Sequence, residues 1–194
     1  MTETTLVRGR WVLAGEGVLS DAAVRIADGA IAEIGDWAEL RARYPTAEVV
    51  GSDRHAVIPG LINAHHHSSA VSVLQQGIPD LILEAWLVTL SLARDADPRL
   101  ATLLSAARLL RSGVTSVVDV HSDRGTPEAY DANARAALAG YDSAGLRVAF
   151  AIGVITQCFL VAGKGEDERF LAGLPDEDLR RFAASRIPPA GSLD

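Results

Sequence analysis

The sequence predicts an α/β chain, with a small β-rich domain over residues 1–57 and alternating strands and helices over residues 58–194. Three observations predict it. Short β-like runs separated by turn signals crowd the first 50 residues. Beyond residue 57, two helical patterns, each opened by a capping residue and a proline and closed by a glycine, separate near-continuously apolar strands. That strand–helix–strand–helix–strand order implies parallel pairing through right-handed crossovers.

In the first part, Thr5 to Leu13, Ala22 to Ile26 and Ala30 to Ile34 read as strands. Leu19-Ser20-Asp21 reads as a turn, and Asp28-Gly29 as a hairpin. Asp36 is a candidate N-cap for a short helix reaching Tyr44. Pro45 ends it, and Glu48 to Val50 returns to the sheet.

Residues 57–67 form the first strand of the second part, with Pro59-Gly60 at its entry. Ser68 to Leu83 holds Gly77, Pro79 and Asp80 and reads as a long irregular loop, of the kind that covers a site or is disordered. Leu81 to Ala93 is apolar and helical, and its Trp86 is expected in the core. Asp97-Pro98 opens a helix whose Leu100, Leu103, Leu104, Ala107 and Leu110 form one apolar stripe, and Gly113 stops it. Val114 to Val120 is a buried strand. Thr126-Pro127 opens the next helix, through Asp142, with Tyr130, Ala134, Ala137, Leu138 and Tyr141 on one side. After Gly145, Leu146 to Thr156 is the third strand. Glu166 to Leu171 and Asp176 to Ala184 look like weak amphipathic helices, and Pro188 to Asp194 a frayed end.

Composition narrows the function classes. The chain is 48% apolar and 22% charged, as ordinary globular proteins are, and its net charge of −7 with no basic cluster argues against nucleic acid as a partner. It has no apolar run long enough to span a membrane, and its first residues lack the pattern of a signal peptide. The one cysteine, Cys158, rules out an internal disulfide and a multi-cysteine zinc site, and is expected to be a small buried residue. A cytoplasmic protein is expected. Lys164, the only lysine, lies in the loop-like Ala-Gly-Lys-Gly-Glu and is expected to be exposed.

Three of the five histidines are consecutive, His65-His66-His67, at the end of the apolar run Val57 to Ala64. Side chains alternate along a strand, so His65 and His67 share a face and His66 points away. Two imidazoles on one face, two residues apart, can grip one metal ion. Val-Ile-Pro-Gly-Leu-Ile-Asn-Ala-His-His-His at 57–67 resembles the first-strand signature of the amidohydrolase superfamily, in the branch of cytosine deaminase, triazine hydrolases and related heterocycle deaminases. Gly113 to His121 resembles the second barrel strand of the same branch. The middle histidine is less usual there than a small or β-branched residue, although some purine-deaminase-like members carry three.

The resemblance implies a (β/α)₈ barrel preceded by a small β-sandwich-type domain. It implies His65 and His67 as ligands of one divalent metal ion, zinc or iron(II), and a small heterocyclic substrate. The implied reaction is hydrolysis of a C–N or C–Cl bond of that heterocycle by metal-activated water. His121 and Gln157 fall at the C-terminal ends of the second and third strands, on the rim where barrel sites are built, and are candidates to line the substrate. His121 also reads as a loop histidine. Asp119 shares its face, and the metal-site histidines are candidate partners for it.

A complete barrel needs about 250 residues. The chain beyond residue 57 is shorter, and three strands are expected, leaving two open edges and an uncovered inner face. In the resembled family the remaining ligands and the acid/base group lie on later strands. The isolated chain is therefore expected to lack catalytic residues and activity. The alternative is a non-enzymatic truncated or split-gene product, stable only when docked on a partner chain. A homo-oligomer is expected at full length, and a partner chain or aggregation if truncated.

Overall fold

A computed structural model of the chain describes residues 4–15, 17–68, 72–82, 86, 89–90, 93–94, 96–121, 127–153 and 166–184. The chain divides into two compact units, residues 1–60 and 61–194.

The first unit is a four-stranded sheet with one helix. Its strands are β1 (Thr4–Ala14), β2 (Gly17–Ala27), β3 (Ala30–Asp36) and β4 (Glu48–Val57), and α1 (Trp37–Arg43) lies between the last two. The spatial order is β3-β2-β1-β4. β2 is antiparallel to both neighbours, while β4 runs parallel to β1. Asp28 and Gly29 both take positive φ, 52° and 73°, as a tight two-residue hairpin requires. The Asp36 carboxylate accepts the Glu39 N–H at 3.0 Å and so caps α1, which packs Leu40 with Leu6 and Ala23. Val12, Ala22 and Val24 form a second cluster with Val7, Ile26 and Val57 at its edge.

Two expectations need correction here. Leu19-Ser20-Asp21 does not turn but continues β2, because pairing with β1 overrides the local turn preference. Asp21 keeps a left-handed φ of 45° within the strand, and its carboxylate meets Arg8 at 3.1 Å. The return to the sheet at Glu48 also runs on to Val57. It does so alongside Arg8 only because residue 51 is glycine. Its φ is +83°, and a Cβ there would stand 2.4 Å from the Arg8 carbonyl oxygen.

The second unit is built on three parallel strands, β5 (Leu61–His66), β6 (Val114–His121) and β7 (Arg147–Ile152), in that order. The crossovers contain α2 (Pro98–Arg111) and α3 (Pro127–Ala144), and α4 (Glu166–Gly173) and α5 (Glu177–Ala184) follow. Asp97 caps α2 through the Leu100 N–H at 2.8 Å. One face of the sheet carries the core, in which Ala106, Val117, Tyr141 and Leu146 are buried. On the other face Ile62 is 71% exposed, and β5 and β7 are edge strands among the described residues.

The buried face of α2 differs from the predicted stripe. Ala101, Thr102, Ser105 and Ala106 are buried, whereas Leu100, Leu104 and Leu110 are exposed. Small side chains win this face because α3 comes close. A Cβ on Gly140 would sit 2.7 Å from the Arg99 carbonyl oxygen and 2.9 Å from Thr102 Cβ. Trp86 is half-buried and helical, and its N–H bonds the Ile82 carbonyl at 2.9 Å. Most of the expected helix at 81–93, the strand residues beyond Gly153, and Gln157, Cys158 and Lys164 lie outside the described residues. No described helix is long and apolar enough to cross a membrane.

Candidate metal centre

The end of β5 carries an irregularity that decides which way its histidines point. Its register with β6 passes from Asn63↔Val117 to His66↔Asp119, so three residues of β5 are spent against two of β6. Such a bulge inverts the phase of alternation. Without it His65 would share the side of Asn63 and Val117. With it, His66 takes that helix-covered side, and His65 and His67 turn to the other. The Asn63 side-chain oxygen accepts the His65 backbone N–H at 3.2 Å within the bulge.

His65 and His67 are exposed and face one another. Their Nε2 atoms are 3.2 Å apart, and the rings stand nearly perpendicular with centroids 5.0 Å apart. His67 Nδ1 lies 2.8 Å from the Val120 carbonyl oxygen. A carbonyl only accepts, so Nδ1 carries a proton, and in the neutral ring this tautomer leaves the Nε2 lone pair for a metal. This backbone bond is the kind of outer contact that fixes the tautomer of a metal-ligating histidine. The donor set suits zinc or iron(II). Two imidazole nitrogens, each about 2.1 Å from a shared ion at a tetrahedral angle, lie about 3.4 Å apart. The 3.2 Å found here is close to that. Among the described residues no group of three or more metal-ligating side chains comes together, so the pair is a two-donor site.

The opposite face is a polar layer against the helices. His66 Nε2 is 2.9 Å from Ser105 Oγ on α2. Burial pushes the His66 imidazole below its usual pKa, against the pull of the Asp119 carboxylate, and His67 adds to the lowering. Asp119 is fully buried, and Tyr141 OH donates to its Oδ2 at 3.0 Å. Its Oδ1 has no partner among the described residues. Burial, and then the neighbouring Asp119 carboxylate, hold the Tyr141 phenol well above its ordinary pKa.

His121 is placed otherwise than its strand-end position leads one to expect. Val117, Asp119 and His121 alternate onto the helix-covered face, and the His121 ring is 8% exposed. It packs against Tyr130 at 5.3 Å and Phe150 at 4.9 Å, away from His65 and His67. Asp119 likewise finds its partner in Tyr141 and not in the metal-site pair. Sequence reasoning passed over Ser105, Asn63 and the Val120 carbonyl. The first has a legible signal, a hydroxyl interrupting an apolar helix, while a backbone carbonyl leaves none.

Together these features define the opening strands of a (β/α)₈ barrel, with two imidazoles at a strand end. Residues 56–183 match the Amidohydrolase family, and the chain belongs to that family. Residues 22–47 match the imidazolonepropionase-like composite domain of bacteria. The chain is 32% identical over 126 residues to 5-methylthioadenosine/S-adenosylhomocysteine deaminase 1 of Syntrophus aciditrophicus, a match covering 60% of this chain and 28% of that protein. It is 38% identical over 103 residues to 5-methylthioadenosine/S-adenosylhomocysteine deaminase of Pyrococcus furiosus, covering 50% and 23%. Among solved structures, a zinc-bound adenosine deaminase from Xanthomonas campestris superposes with a TM-score of 0.56 at 23% identity, covering 87% of this chain and 38% of that one. Atrazine chlorohydrolase from Arthrobacter aurescens, complexed with zinc and atraton, gives 0.60 at 24% identity, covering 78% and 36%. These structures bear on the fold alone. The chain spans under a third of the length of the curated relatives it matches.

Proposed function

We propose that this chain carries the first metal-binding segment of a metal-dependent aminohydrolase that removes an amino group from a nitrogen heterocycle. The observation that carries the reading is the His65–His67 pair, with Nε2 atoms 3.2 Å apart and His67 oriented by the Val120 carbonyl. Membership of the amidohydrolase family and the deaminase relatives support it. His65 and His67 would hold zinc or iron(II). When bound, such a metal supplies Lewis acidity that brings a water's pKa to about 7. The chain's own part is to present two imidazoles on one face, that of His67 held by its Nδ1 bond to the Val120 carbonyl, and to keep the polar groups of the other face apart from them. The protein is read as cytoplasmic, acting on a small molecule.

The isolated chain is proposed to be inactive, because a catalytic zinc takes three protein ligands and a water, and the described residues bring two together. The test is a chimera in which this chain replaces the matched segment of the Syntrophus aciditrophicus deaminase. Ammonia release from 5-methylthioadenosine, abolished by His65→Ala or His67→Ala, is expected, with none from the zinc-loaded chain alone. A folded, zinc-loaded chimera without activity contradicts the reading, and turnover by the chain alone contradicts the proposed inactivity.

One observation favours a second reading, a non-enzymatic product stable only on a partner chain. The sheet face bearing Ile62 is uncovered and both edges are open among the described residues. A monodisperse complex with a second, different chain, purified from the native cell, is the outcome that supports it.

A further inference from the structure

His66 is the one histidine of the triplet that the metal pair leaves unused. We propose that it is a positioning residue, whose bond to Ser105 locks the phase of the bulged strand end so that His65 and His67 share the opposite face. The proposal rests on the reading of those two as metal ligands.

A bulge near the end of an edge strand leaves the last residues a choice of phase, because a one-residue slip sends every side chain to the other face. Among the described residues β5 is such an edge strand, and its register shifts between Asn63 and His66. On the open side, the only side-chain hydrogen bonds described for the triplet are His65 to His67 and His67 to the Val120 carbonyl. The Asn63 bond to the His65 N–H is local and fixes the bulge, not its orientation on the sheet. The tie to another layer is His66 Nε2 to Ser105 Oγ at 2.9 Å, across 39 residues of sequence. Ser105 is buried on α2 and cannot swing out to solvent. In register with His66 stands Asp119, itself held by Tyr141 at 3.0 Å. The socket is therefore polar. A leucine at position 66 would offer Ser105 no partner and gain nothing from slipping into the right phase. His66 points away from the metal-facing nitrogens, so it acts through the strand and not on the metal.

The test uses the whole chain and its His66→Leu, Ser105→Ala and Ser105→Thr variants. Long-range proton–nitrogen spectra of the imidazoles read the His67 tautomer in metal-free protein, and calorimetry reads zinc affinity. His66→Leu and Ser105→Ala are expected to weaken zinc binding about 10- to 100-fold, as loss of an outer contact does. They are also expected to replace the single Nδ1–H tautomer of His67 with a mixture. Ser105→Thr, which keeps the hydroxyl, is expected to restore both, an outcome that a merely destabilising effect would not produce. Should His66→Leu fail to fold, the two Ser105 variants carry the test. Wild-type tautomer and affinity in Ser105→Ala overturn the proposal, as does a Ser105→Thr variant no better than alanine. If zinc leaves His65 and His67 of the wild type unshifted, the metal reading falls, and the tautomer comparison in metal-free protein still decides whether His66 sets their phase.

Discussion

His67 Nδ1 donates to the Val120 carbonyl at 2.8 Å, and this bond from β5 to β6 leaves the His67 Nε2 lone pair aimed at His65. One member of the ligand pair is thus oriented by backbone, which no side-chain substitution on β6 removes.

Replacing either member with alanine is expected to weaken zinc binding at least tenfold, by analogy with the roughly 10- to 100-fold cost of losing even an outer contact. His121→Ala is expected to leave zinc binding unchanged, because its ring lies in the helix-covered layer against Tyr130 and Phe150. Equilibrium dialysis of the three variants checks both statements. A His121→Ala variant that lost zinc would return that residue to the site.

Tyr141→Phe removes the hydrogen bond that Asp119 Oδ2 accepts, and leaves that fully buried carboxylate with neither oxygen bonded among the described residues. Hydrogen bonds to charged groups are worth about 1.5–3 kcal/mol, and a loss of that size is expected in urea unfolding. A loss below about 0.5 kcal/mol would mean that Asp119 has another partner.

The same phenol predicts a pH dependence. Tyr141 has its pKa raised in the folded chain, first by burial and then by Asp119. The folded state therefore holds this proton more tightly than the unfolded state does. Its contribution is fully present below the unfolded value of about 10 and is lost as pH rises beyond it. Thermal unfolding should fall more steeply above about pH 10 in the wild type than in Tyr141→Phe. Equal slopes would contradict the assignment.

Gly140→Ala should destabilise the chain, although alanine is the better helix former by about 1 kcal/mol. The added Cβ would meet the Arg99 carbonyl oxygen at 2.7 Å, and a backbone atom cannot step aside cheaply. Overpacking of this kind costs about 1–3 kcal/mol, so a net loss is expected in denaturant unfolding, and a gain would show that α2 and α3 have room to part.

The sequence made the strand and helix order legible because caps and glycines are local signals. Asp36, Asp97 and the Asp28-Gly29 turn act in the structure as their types dictate. The burial of α2 was not legible in the same way. Its leucines form the apparent stripe, but the Gly140 approach selects the small face of Ala101, Thr102, Ser105 and Ala106. At the site, the alternation of His65 and His67 against His66 follows from strand geometry. The bulge that sends the pair to the open side depends on pairing with β6, which periodicity within β5 does not encode. The face that His121 takes is hidden from the sequence for a related reason. A strand end marks the rim, but which face the residue takes depends on phase, and Val117 and Asp119 set that phase toward the helices.

Whether His65 and His67 share one zinc ion is read by anomalous diffraction from crystals of the chain grown with zinc. One zinc peak is expected about 2.0–2.1 Å from both the His65 and the His67 Nε2 atoms, the ordinary zinc–imidazole distance. A peak on His66 or His121 instead, or a zinc held by only one of the two, would contradict it.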